Sequence, residues 1–246
     1  MSTAIPANTH ATTTTCKPSF YTGMVLLMAF FVFGGFSMTY WYPMAAGAFP
    51  PAPPVVHFHG LVYSCWMILL VVRALLVNVR NVALHRSLGT FGIALATLVI
   101  MMGALITILG ASGVSRGPNH GIFLGIAAVT GFAFLFILAI RNVRKPEIHK
   151  RLILLAMLPI LPPGIHRLYM VPLGLNSFPV VAMYITLDLM ALAILFQEWR
   201  QHRSINQYTW IGVGWIVFQQ IMHATVIETE MYYDVQAWVG SLAVYR

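Results

Sequence analysis

Long, almost uninterrupted apolar runs alternate with short polar connectors along the whole chain. They cover Phe20 to Tyr42, Val55 to Asn78, Leu88 to Leu109, Gly121 to Ile140, Leu152 to Leu173, Phe178 to Phe196 and Tyr208 to Val226. A bilayer-spanning helix needs about 20 mostly apolar residues, and each run is of that order. The pattern therefore predicts an all-α, polytopic integral membrane protein with seven transmembrane helices over residues 20–226. Residues 1–19 then form a polar tail and residues 227–246 a second one. The first run is too long for a signal-peptide core and lacks a clear small-residue cleavage site, so it is expected to remain as the first helix.

Composition agrees. Hydrophobic residues make up 59% of the chain, charged residues 8%, and the mean hydropathy is +0.80, more apolar surface than a soluble core can hide. The net charge of +8 and pI near 9.8 do not point to nucleic acid, because the basic residues sit in the connectors. With the N-terminus in the cytoplasm, eleven of the fourteen Lys and Arg residues fall on the inner face: Lys17, Arg73, Arg80, Arg86, Arg141, Arg144, Lys145, Lys150, Arg151, Arg200 and Arg203. Arg116, Arg167 and Arg246 are left outside. This is the positive-inside pattern of a multi-pass protein of the cell inner or plasma membrane, with the lipid bilayer as its main partner and a cytoplasmic N-terminus.

Several chemistries are excluded. Cys16 and Cys65 are expected on opposite sides, and neither has metal-type spacing. There is no P-loop, GxSxG or HExxH motif. A retinal Schiff base needs a lysine inside the bundle, yet Lys17, Lys145 and Lys150 all lie at the cytoplasmic edge.

The histidines are more informative. His57, His59, His120, His166 and His223 fall near the outer face, and with Glu228 and Glu230 of a folded-back tail, together with Asp234, they form a candidate metal site. Imidazole with carboxylate suits a transition metal, and paired imidazoles suit haem b. His57 and His59 are two positions apart, so they share a ligand only if the helix entrance after Pro53 and Pro54 is frayed. Pro159, Pro162, Pro163 and Gly164 break the fifth run and deliver His166 and Arg167 to the outer half. Such a break is tolerated where it is buried in protein or lines a cavity.

On the inner side, Leu84-His85-Arg86 and Ile148-His149-Lys150-Arg151 each set a histidine beside positive charge at a helix start. With Arg167, they make His85, His149 and Arg151 candidates for holding a cofactor, lipid phosphate or haem propionates. Their cationic surroundings are expected to keep the two imidazoles neutral and free to act as ligands. Asp188 lies in the middle of the sixth run. A carboxyl there is costly and is expected to be protonated, bonded to Tyr184, Thr186 or a carbonyl, and catalytic in proton movement. Gly121 and Gly125 have a GxxxG spacing and are read as packing residues.

The strings His57-Phe58-His59 with Trp66, Leu84-His85-Arg86-Ser87-Leu88-Gly89, and His149-Lys150-Arg151-Leu152 leading to His166-Arg167-Leu168 resemble a family of bacterial seven-helix membrane proteins of unassigned function. The resemblance runs from about Val55 to Asp188, and its most specific element is the HKRL string. Where that family tends to carry Gln in helix two, this chain has Arg73. A looser analogy links it to cytochrome b561 and ferric-reductase-like proteins, which implies paired histidines holding haem near each face. Three functions follow as expectations: a redox or metal-binding membrane protein, a non-catalytic accessory or assembly subunit of a membrane complex, and a small-solute or proton-coupled transporter.

Overall fold

The computed structural model describes residues 19–175 and 177–243; Cys16, Lys17 and Arg246, with most of the predicted N-terminal tail, lie outside the described residues. Helix α1 (Phe20–Phe36) begins where the Ser19 hydroxyl accepts the Thr22 N–H, which satisfies one of the orphan donors of a helix start. It passes through a wider π turn, Ser37–Trp41, into the short α2 (Tyr42–Ala45). Next come α3 (Pro54–Asn78), α4 (Val82–Ala111) and α5 (His120–Arg141). The side chains of Asn81 and Asn119 cap α4 and α5 by accepting from the Leu84 and Ile122 N–H groups. Because α4 starts at Val82 rather than Leu88, His85 and Arg86 lie inside its first turns instead of in a connector.

The fifth run is broken, as the prolines predict. Helix α6 (Pro146–Met157) ends in a 3₁₀ turn, Leu158–Ile160, and α7 (Pro162–Leu173) leaves it at 49°. Pro162 and Pro163 occupy the first positions of α7, where a missing N–H costs least. Helix α8 (Val180–His202) and α9 (Gln207–Val226) follow, and α10 (Glu230–Ser241) turns away from α9 by 106°.

Among the described residues, five helical stretches are long and apolar enough to cross a membrane, α1 with α2 counting as one, and the number rises to seven if each bent pair is a single span. The bundle surface is apolar as well: Phe30, Met101, Ile137 and Leu189 are all more than half exposed well inside their helices. That is the reverse of a soluble protein, and the chain is a multi-pass membrane bundle.

The broken span is the hub of this bundle. It packs on α1, α5, α8 and α9, and Leu152, Leu155, Leu158, Leu161 and Ile165 along it have no exposed surface. Helix α1 meets it backbone to backbone. A Cβ on Gly164 would sit 2.6 Å from the Phe31 carbonyl oxygen, and one on Gly35 would strike the Gly164 carbonyl, so backbone meets backbone with no side chain between. Gly125 likewise seats α5 on Thr107 of α4, whereas Gly121, the other half of the GxxxG spacing, meets only the Asn119 side chain.

The ends of the bundle differ. At the basic end, Arg151 and Glu198 form an ion pair at 3.0 Å with both side chains almost fully buried. Glu198 also accepts the Asn206 N–H at 3.0 Å, and Arg151 reaches Glu147 at 3.1 Å, so one buried guanidinium ties α6 to α8 and to the start of α9. At the far end, α10 docks on the α4–α5 connector. Arg116 holds Glu230 and Asp234, Tyr232 donates to the Asn119 carbonyl at 2.6 Å, and Gly240 lies against the Ala111 backbone. The bonds to Glu230 and Asp234 hold the Arg116 guanidinium above its ordinary pKa.

Two stability outcomes follow, both read as the midpoint of thermal unfolding in detergent. Gly164→Val costs about 1–3 kcal/mol through overpacking, while Gly89→Ala, where a Cβ meets nothing, stays within about 0.5 kcal/mol. Glu198→Leu alone strands the buried Arg151 charge and costs about 3–5 kcal/mol; adding Arg151→Met recovers most of that loss.

Candidate functional site

The far half of the bundle encloses a cavity of about 550 Å³, within the size range of cofactor and ligand pockets. Its walls are mostly apolar, with Val32, Phe36, Trp66 and Met67 among them, and its polar groups are few: His59, Tyr63, His166 and Arg167 are the main ones. The break in the central span creates this arrangement. In the first turn of α7, His166 Nδ1 lies 3.0 Å from the Pro162 carbonyl and Arg167 donates to the Pro163 carbonyl at 2.6 Å. With Nδ1–H given to a carbonyl, the Nε2 lone pair of His166 faces only the Arg167 guanidinium, in a long contact of 3.5 Å, against 3.2 Å for His85 and Arg73. Arg167 also stacks over Phe36, 4.4 Å from the ring centroid.

His59 faces the cavity from α3. Its ring lies 4.2 Å from that of Tyr63 and close to the Met102 backbone, and its Nδ1 is buried with no hydrogen-bond partner. A buried polar atom left unpaired is costly and calls for an explanation. The helix entrance is not frayed: α3 is regular from Pro54, so His57 points away and meets the Tyr40 hydroxyl at 2.9 Å. The condition under which His57 and His59 would share a ligand, a frayed entrance, is not met.

The remaining outer residues form other pairs. His120 Nδ1 and His223 Nε2 are 3.0 Å apart, and His223 Nδ1 is 2.6 Å from the Tyr184 hydroxyl. His223 is fully buried and stacked on Phe123; both of its nitrogens are engaged, which leaves it no lone pair for a metal. Glu230 and Asp234 are taken by Arg116, and Glu228 is exposed in the turn before α10. Among the described residues no three His, Cys, Asp or Glu side chains gather as a metal site. The outer cluster of His57, His59, His120, His166, His223, Glu228 and Glu230 is thus several separate contacts, because rigid helices aim these side chains in different directions.

His85 is also committed. Its Nδ1 lies 3.2 Å from the Arg73 carbonyl and its Nε2 3.2 Å from the Arg73 guanidinium, so it is not the free ligand expected. His149 gives only Nδ1, to the Ala139 carbonyl at 2.9 Å. Arg151 belongs to the buried ion pair with Glu198. Asp188 is bonded by the Gln220 amide at 2.7 Å, not by Tyr184 or Thr186; Thr186 pairs with Tyr169 at 2.8 Å.

Sequence reasoning missed Glu198, Gln220 and the part played by Tyr184. Glu198 lies just beyond the apolar run that ended at Phe196, so it read as a connector residue. Tyr184 stands four positions before Asp188 on α8 and Gln220 three before His223 on α9, the spacings that share a helix face. No protein-family model, no curated protein and no solved structure matches this chain, so its functional reading rests on the cavity and the side chains around it.

Proposed function

We propose that the chain is a seven-span plasma-membrane protein with a cytoplasmic N-terminus, whose outer cavity binds haem b between His59 and His166 for membrane electron transfer. The observation that carries this reading is one apolar cavity with two imidazoles from different helices and a guanidinium on its wall. Seven spans result when α6 with α7 and α9 with α10 each count as one, and the basic end then faces the cytoplasm.

The residues present fit the group. His59 and His166 line the cavity from different helices, the only contact of His166 Nε2 is the long one of 3.5 Å to Arg167, and the apolar walls suit a porphyrin face. Arg167 is the natural partner for a propionate carboxylate. Haem held by His59 and His166 would supply one-electron transfer. The protein's part is to orient the imidazoles, the Pro162 carbonyl holding one of them, and to keep water away from the ring through Phe36, Trp66 and Met67.

The test is an optical spectrum of the purified full chain, before and after titration with haem b. A Soret band at one haem per chain is expected. His59→Ala and His166→Ala each abolish it or convert it to a high-spin spectrum, whereas His57→Ala leaves it unchanged. A folded, colourless protein that gains no Soret band on titration overturns the reading.

A further inference from the structure

The far ends of α5, α8 and α9 carry a second polar system outside the cavity. It starts at His120, the half-buried first residue of α5 beside the exposed α4–α5 connector. From there it runs inward through His223 to Tyr184, with heavy-atom separations of 3.0 and 2.6 Å. One helical turn deeper, on the same faces of the same two helices, lie Asp188 and Gln220, joined at 2.7 Å. Tyr184 and Gln220 also border a small space of about 20 Å³ against Pro159 and Pro162 of the central break. That is room for one water molecule, in a place where the prolines remove backbone donors.

We infer that His120, His223 and Tyr184, completed by a water in the small space beside Gln220, form a proton path from the far surface of the bundle to Asp188 within the membrane. The alternative, that these groups only pin helices together, does not account for their order. His120, His223 and Tyr184 are each both donor and acceptor and follow one another at hydrogen-bond distance, while the step from Tyr184 to Asp188 needs the water, in a space that Tyr184 lines together with Gln220, the partner of Asp188. Histidine and tyrosine can pass a proton and keep their own charge.

The transfer balances atom by atom. A proton from outside binds His120 Nε2, and the one on His120 Nδ1 moves to His223 Nε2. The proton on His223 Nδ1 then moves to the Tyr184 oxygen, which releases its own to the water, and the water gives one to the Asp188 carboxylate. The net change is one proton from the medium to Asp188, with each relay group left neutral in its other tautomer or rotamer. Reorientation of the ring and hydroxyl protons resets the path. Gln220 holds the carboxylate in place and takes no proton. None of these groups is a proposed haem ligand, so the path stands or falls independently of the cavity.

The experiment is infrared spectroscopy of the full chain in lipid vesicles, following the rate at which the Asp188 carboxyl band shifts when water is exchanged for heavy water. The band is assigned by its loss in Asp188→Asn, with pH lowered until the carboxyl is protonated. His223→Gln, which keeps hydrogen bonding but cannot relay, and Tyr184→Phe are expected to slow the exchange by about 100-fold at unchanged unfolding midpoint. His120→Ala slows it too, and imidazole added to the buffer restores the rate, a rescue that a purely structural role does not give. Exchange at the wild-type rate in folded His223→Gln, or no rescue of His120→Ala by imidazole, overturns the path. So does the absence of any Asp188 carboxyl band down to acid pH.

Discussion

Backbone that is not helical cannot face lipid, because its unpaired carbonyls and N–H groups find no water there. The interruption at Pro159, Pro162 and Pro163 therefore has to be wrapped in protein, and the rest of the bundle is arranged to do so. Helices α1, α5, α8 and α9 close around it, and Leu155, Leu158 and Leu161 beside it have no exposed surface. The same break supplies the chemistry. The side chains of His166 and Arg167 bond the Pro162 and Pro163 carbonyls, four residues earlier in each case, which orients an imidazole and a guanidinium just past the break.

Polar residues elsewhere follow the same rule of enclosure. Arg151 and Glu198 are buried together, Arg73 clamps both nitrogens of His85, and Asp188 meets Gln220. The histidines share one end of the bundle but not one environment. His59 and His166 face a cavity, His120 and His223 face each other, and His57 faces Tyr40. An imidazole with both nitrogens occupied serves a different chemistry from one with a lone pair to spare, and in this bundle the neighbouring backbone decides which is which.

Much of the architecture was legible in the sequence because lipid imposes a single test, apolar length, that each long helix meets on its own. The ends of α3 and α5 fall within a residue of the apolar runs, and the proline break appears where the prolines stand. What escaped were features that depend on two helices at once. Helix α4 starts six residues earlier than its apolar run, because Asn81 caps it and both nitrogens of the His85 side chain bond to Arg73 on α3. The turn of α10 hangs on Arg116, more than a hundred residues away in sequence, so two of the acids that looked available to the histidines, Glu230 and Asp234, were already held. The candidate site was half legible. Residue type and membrane depth singled out His59, His166, Arg167 and Asp188, but helix rotation assigned their partners, and no spacing rule carries that between helices.

The contact between Gly35 and Gly164 has a consequence for how this sequence can drift. Most interior positions can trade volume, a larger residue on one helix matched by a smaller one opposite. At this crossing both partners already lack a side chain, and what each faces is main chain. No second substitution can make room for a first. The pair forms a locked point in an otherwise permissive apolar surface, and descendants of this chain that keep the crossing must keep both glycines.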